Sequence, residues 1–166
     1  MTIWRLRVDG EPQTKGSVKC IGGRGPIKHA LIEDDKTGAR ALWRAKLAEA
    51  AQLLAGKLPD NGDDGVIVGL LALVERPASA RGRSLPARRS SGDTDKHLRM
   101  TFDALDDAEV YGDDSRICLT LGAKAYADDG RPGAIVYVAP IGEDPHRILT
   151  AMLTAAPALT GHPEEV

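Results

Sequence analysis

The sequence predicts an α/β (α+β) fold: a small mixed β-sheet with helices packed against it, in the order β-α-β-α-β-β-α. Three observations carry this reading. Residues Val66 to Val74 are an almost unbroken apolar run, which suits a central strand covered on both faces rather than one wet on one side. Residues 38–55 and 97–108 repeat apolar side chains at the three-and-four spacing of amphipathic helices. Residues 3–8 and 117–124 alternate apolar with polar, the period of a half-buried strand. A chain of 166 residues is long enough for one compact core, so residues 1–157 are read as a single domain and 158–166 as a loose tail.

In chain order, Ile3-Trp4-Arg5-Leu6-Arg7-Val8 forms the first strand, broken by Asp9-Gly10-Glu11-Pro12. Residues 13–36 have no clear period and read as irregular. Lys15, Lys19, Arg24, Lys28 and His29 there either line a DNA path or simply solubilise a loop. The helix over 38–55 puts Trp43, Leu47, Ala50 and Leu54 on one stripe, and Gly56 stops it. After the central strand, Glu75 to Ser91 is an arm holding Arg76, Arg81, Arg83, Arg88 and Arg89, with no acidic residue after Glu75. Such a segment is expected to be disordered until it meets phosphates. The helix over 97–108 buries Leu98, Phe102 and Leu105 and exposes Arg99, Asp103 and Asp106. Ile117, Leu119, Leu121 and Ala123 mark the buried face of the next strand, within which Cys118 is expected as a buried, reduced thiol. Asp128 to Pro132 turns the chain into residues 134–138 as a hairpin, and a helix follows over Pro145–Ala156.

The net charge is -2, but it is segregated: +4 over residues 1–50 and +5 over 76–99 stand against -8 over 100–166. Phosphate backbones are met by local fields of Lys and Arg, so this map admits a nucleic-acid partner that uniform acidity would exclude. Cys20 and Cys118 have no metal-ligand spacing. No run approaches the ~18 apolar residues of a membrane span, and no apolar leader opens the chain. These features point to a soluble, cytoplasmic protein with no membrane partner. Neither a phosphate-binding glycine loop nor a nucleophilic Ser or Cys constellation is present.

Chemistry concentrates between Gly92 and Ser115. If Asp93 and Asp95 lie in an extended segment, their side chains share one face. A following helix carries the chain roughly 16 Å away at ~1.5 Å per residue, and Glu109 to Asp114 can retrace about 20 Å if extended, so Asp114 can rejoin the pair. Three converging carboxylates require a cation, and hard oxygen donors favour Mg²⁺ or Mn²⁺. Alternatively Asp95 caps the helix and Asp113-Asp114 forms a turn.

The spacing Asp93-x-Asp95, Arg99, Phe102-Asp103-Ala104-Leu105, Asp113-Asp114-Ser115 and Lys124 resembles the RusA family of Holliday junction resolvases. Gly10-x-Pro12-x-x-Lys15-Gly16 extends the likeness toward the amino terminus. The resemblance implies a RusA-like, dimeric, Mg²⁺-dependent endonuclease of phage or prophage recombination. Asp93, Asp95 and Asp114 would be its metal ligands, and a homodimer would act on the opposing strands of a four-way junction. Two positions depart from the family pattern. Lys96 replaces the usual Asn after the second aspartate, and Arg99 replaces a catalytic Lys. Arg99 keeps a charge that can stabilise a phosphate transition state but cannot give up a proton near neutral pH. The expected DNA contacts are Lys15, Arg81, Arg83, Arg88, Arg89, Lys96 and Lys124. The rival readings are a catalytically weak or inactive branched-DNA-binding protein and a cation-binding domain without DNA.

Overall fold

The computed structural model describes residues 2–16, 18–21, 30–33, 35, 37–58, 64–80 and 82–159; the side chains of 18–21, 30–33, 89 and 157 lie outside that description. Its strands are β1 (Trp4–Asp9), β2 (Val18–Ile21), β3 (Ala30–Glu33), β4 (Val66–Val74), β5 (Ile117–Tyr126) and β6 (Gly133–Pro140). Its helices are α1 (Ala39–Ala51), α2 (Thr94–Asp107) and α3 (Pro145–Ala155). Strands β2 and β3 pair as a separate antiparallel hairpin, so the segment expected to be irregular contains strands. The sequence signal failed there because two four-residue strands are too short to display a period.

The main sheet runs β1-β6-β4-β5, with β4 parallel to β5 and antiparallel to β6. This corrects the expected β5–β6 hairpin. The turn after β5 is short enough for one, but β4 is buried at every position and needs a hydrogen-bonded neighbour on each edge. β6, buried along nearly its whole length, takes the inner place. β5 is half covered and takes the rim.

The period of two divides β4 between two cores. Val66, Val68 and Leu70 face α1 and α2 together with Trp43, Leu47, Met100, Ala104 and Leu105. Ile67, Leu71 and Leu73 face α3 with Tyr137, Ile148 and Met152. Each buried Leu or Ile contributes about 2 kcal/mol through removal from water, so the central strand anchors both layers. On the α3 side the Ile148 side chain presses onto the strand at Gly69, where a Cβ would stand 2.7 Å from Ile148 Cγ2. Asp144 caps α3 by accepting from the His146 N–H at 2.9 Å, with Pro145 following it. That is the expected amino-terminal chemistry.

Two further expectations change. Cys118 is exposed, because its side of the rim strand is uncovered. The described part of the arm is folded, with short turns at Ala78–Ala80 and Arg89–Ser91. Arg76 stacks 4.1 Å from the Tyr126 ring centre and pairs with Asp128 at 2.7 Å, while Ala80 is fully buried against Val74 and Tyr126. An arginine over an aromatic face and a buried methyl give the arm a footing that its composition conceals.

No described helix is long and apolar enough to cross a membrane.

Candidate active site

The parallel pair β4 and β5, joined through the arm and α2, is a crossover unit, and such units gather loops at the carboxyl ends of their strands. Val74 and Tyr126 end the two strands side by side. The start of α2 lies near this end: Thr94 and Leu98 pack where a Cβ on Gly122 would stand, and the Lys124 ammonium donates to Gly92 O. The amino end of a helix carries partial positive charge and unpaired N–H groups, which favour anions.

Asp93 is extended, with φ -89° and ψ 139°, and is the residue that caps α2, although its side chain makes no cap hydrogen bond. Thr94 is already helical, three residues before the expected start, so Asp95 sits in the first turn. The shared face argued for an extended Asp93–Asp95 segment therefore does not apply, and Asp95 is not the cap. Both carboxylates are largely exposed. Lys96 Nζ lies 2.9 Å from Asp93, and Arg99 reaches Asp95 at 4.0 Å. Arg99 thus turns back toward Asp95, while Asp103 pairs with Lys15 at 2.8 Å and with Arg44 at 3.7 Å.

Asp114 opens a short turn before β5, and Asp113 accepts from the Ser115 N–H at 2.8 Å. Hydrogen bonding from Ser115, its hydroxyl first and its N–H second, holds the Asp113 carboxyl below its usual range. The turn reading of this pair is the one realised. Ile117 to Gly122 spans roughly 16 Å at ~3.3 Å per residue, so Asp114 lies beyond the far end of that stretch from the contact between Thr94 and Gly122. It stands close enough to Tyr111 to help raise the phenol pKa, an effect dominated by burial.

The closing turn of α2 explains this. Glu109 takes a left-handed conformation at φ 54°, with Glu109 N–H bonded to Asp106 O and Val110 N–H to Leu105 O. This ends the helix and feeds the chain into β5 rather than back along α2. Among the described residues, no three His, Cys, Asp or Glu side chains stand where they could hold one metal ion. Asp93, Asp95 and Asp114 do not form such a group among the described residues of one chain.

The expected cations divide. Lys15, Lys96, Arg99 and Lys124 all belong to the amino half of α2 or touch what leads into it: Lys15 N–H bonds Lys96 O at 3.1 Å, and Lys124 Nζ also reaches Ser91 Oγ at 3.1 Å. Arg83 is exposed on the arm, and Arg88 donates to Ser79 Oγ at 3.3 Å. Arg81, Arg24, Lys28, His29, the side chains of Arg89 and Lys19, and the tail from residue 160 lie outside the described residues.

His97 was not singled out by the sequence reading. It is 3 % exposed, and its Nε2 lies 2.9 Å from Ser91 O. A carbonyl only accepts, so Nε2 carries the proton in this contact. Burial pushes the His97 pKa down; the Ser91 carbonyl opposes the shift and Lys124 adds to it. The available signal was periodicity, since 97, 101, 104, 105 and 108 form one helical stripe. Compared with known proteins, the chain matches no family model and no curated relative.

Proposed function

We propose that this protein is a Mg²⁺- or Mn²⁺-dependent endonuclease acting on branched DNA, a Holliday junction resolvase of the RusA kind working in a cytoplasmic, phage or prophage recombination setting. The observation that carries the reading is the grouping at the amino end of α2. Two exposed carboxylates, Asp93 and Asp95, stand with Lys96 and Arg99, beside the folded basic arm. A phosphodiester approaching this end meets helix N–H groups and Arg99, whose planar fork holds two phosphate oxygens and offsets charge that grows during hydrolysis. Lys96 screens Asp93 from the incoming phosphate. Asp93 and Asp95, with Asp114 of a second copy, would hold a divalent cation, which would supply positive charge and an activated water.

A homodimer answers the separation of Asp114 from the other two carboxylates. The outer edge of β5 pairs with no strand among the described residues, and an open edge is a template for another strand. Antiparallel self-pairing of β5 about Thr120 sets Ile117 of each copy opposite position 123 of the other, which carries the turn at Asp114 toward the carboxyl end of the second copy's β5. A two-fold arrangement of this kind completes two equivalent sites, each with Asp93 and Asp95 from one copy and Asp114 from the second.

The deciding experiment is incubation of a labelled synthetic four-way junction with and without Mg²⁺. Cutting that depends on the metal is the expected result. A gel shift without cutting leaves the weaker reading, a branched-DNA-binding protein, and neither effect overturns both.

A further inference from the structure

The arm and the carboxylates are joined by a buried latch. His97 lies one turn into α2 and sends its Nε2–H back to Ser91 O. Ser91 Oγ faces the carbonyls of Pro86 and Arg88, both at 2.6 Å, and Lys124 ties Ser91 Oγ and Gly92 O to the rim strand. Between these bonds the chain makes a left-handed turn at Gly92, φ 72°. A Cβ there would stand 2.9 Å from His97 Nε2 and would collide with the Thr14 methyl. Asp93 is the next residue. The direction in which it leaves the helix is therefore set by a turn whose two sides are held by one imidazole and one ammonium.

The imidazole differs from the apolar members of the buried stripe, and the other polar member, Thr101, is paired within the helix by donating to His97 O. Met100, Ala104 and Leu105 pack the α1–α2 core, and an apolar residue at position 97 would complete that stripe more cheaply than a polar ring, because a buried polar group must be paired. The pairings it finds are with the arm, at Ser91 O, and with the backbone of Gln13 beside it.

We propose, on the reading that this helix end meets DNA phosphates, that His97 is a positioning residue that locks the end of the basic arm to the Asp93–Asp95 turn, so that arm and carboxylates present themselves to the phosphate as one rigid unit.

The test compares His97→Leu, which keeps an apolar filling but removes the donor, with His97→Gln, whose amide nitrogen can reach the same carbonyl. Single-turnover cleavage of a four-way junction with Mg²⁺ is measured at saturating protein, alongside hydrogen exchange of residues 86–93 in the free protein. His97→Leu is expected to cut about 10- to 100-fold more slowly, the scale of loss when reacting groups are misplaced by about an ångström. Protection at Ser91 and Gly92 is expected to fall, and His97→Gln to restore most of both. Should His97→Leu fail to fold, His97→Asn, whose amide stops a bond short of Ser91 O, takes its place. Unchanged cleavage in the donor-less variant overturns the proposal, and so does a His97→Gln enzyme as slow as His97→Leu, since the loss would then come from packing. If the unaltered protein cuts no junction, the nuclease reading fails by itself. The exchange comparison then decides the latch: equal protection in His97→Leu and the unaltered chain overturns it.

Discussion

Arg99 has a side chain 67 % exposed and lies 4.0 Å from Asp95, itself 63 % exposed. An i, i+4 pair so open to water is worth only about 0.3–0.5 kcal/mol, so helix stability is a weak reason for an arginine here. Replacement by Ala is expected to shift unfolding by no more than about 0.5 kcal/mol, while single-turnover cleavage falls about 10²-fold, as loss of a transition-state charge contact does. Arg99→Lys is expected to keep part of the rate, because the positive charge stays while the two-pronged hold on the phosphate is lost. Thermal melts and cleavage on the two variants check this together. A melting change with no rate change would leave Arg99 as a helix partner alone.

Among the elements, the arm and β4 make opposite demands on their surroundings. The arm is held at its base by Arg76 on Tyr126 and at its end by Ser91, which leaves Arg83 exposed between the two. Changing Arg83 and Arg88 to Ala is expected to weaken junction binding and to flatten its dependence on salt by about 0.9 in the log–log slope per lost phosphate contact. Titrations at several salt concentrations measure both. β4 tolerates nothing extra. Gly69→Ala would press a methyl toward Ile148 and Tyr137, both buried. Overpacking of this kind costs about 1–3 kcal/mol. Denaturant unfolding is expected to show that loss, while cleavage per folded molecule stays unchanged because α3 lies on the face away from α2.

At the scale of the whole molecule, the proposed site crosses two copies, and mixing separates this from a site within one chain. Asp95→Asn and Asp114→Asn should each abolish cutting while preserving junction binding, since loss of a carboxylate also reduces repulsion of phosphate. Mixed and allowed to exchange subunits, the two inactive proteins are expected to recover cutting. A mixed dimer then holds one site with all three carboxylates and another lacking two. If every carboxylate of a site came from one chain, each site in the mixture would stay broken and no activity would return. Sedimentation of the unaltered protein should give a dimer under the same conditions.

Strongly periodic or fully buried segments were legible from the sequence alone. β1, β4, β5, the stripe of α1 and the extent of α3 follow from local spacing, because the number of faces an element buries is written in its apolar pattern. The acidic and basic residues at the amino end of α2 were legible too, as a set. Partnership was not. The exchange of neighbours that put β6 beside β4 and left β5 on the rim depended on which strand could be covered twice. The left-handed turn at Glu109 was invisible because glycine, its usual signal, is absent. It determined whether Asp114 returned toward Asp93, and the hydrogen bond from His97 to Ser91 depended on where the arm folded. Local pattern determines what each segment must bury; only tertiary packing decides against what, because that choice is a competition among all the segments at once.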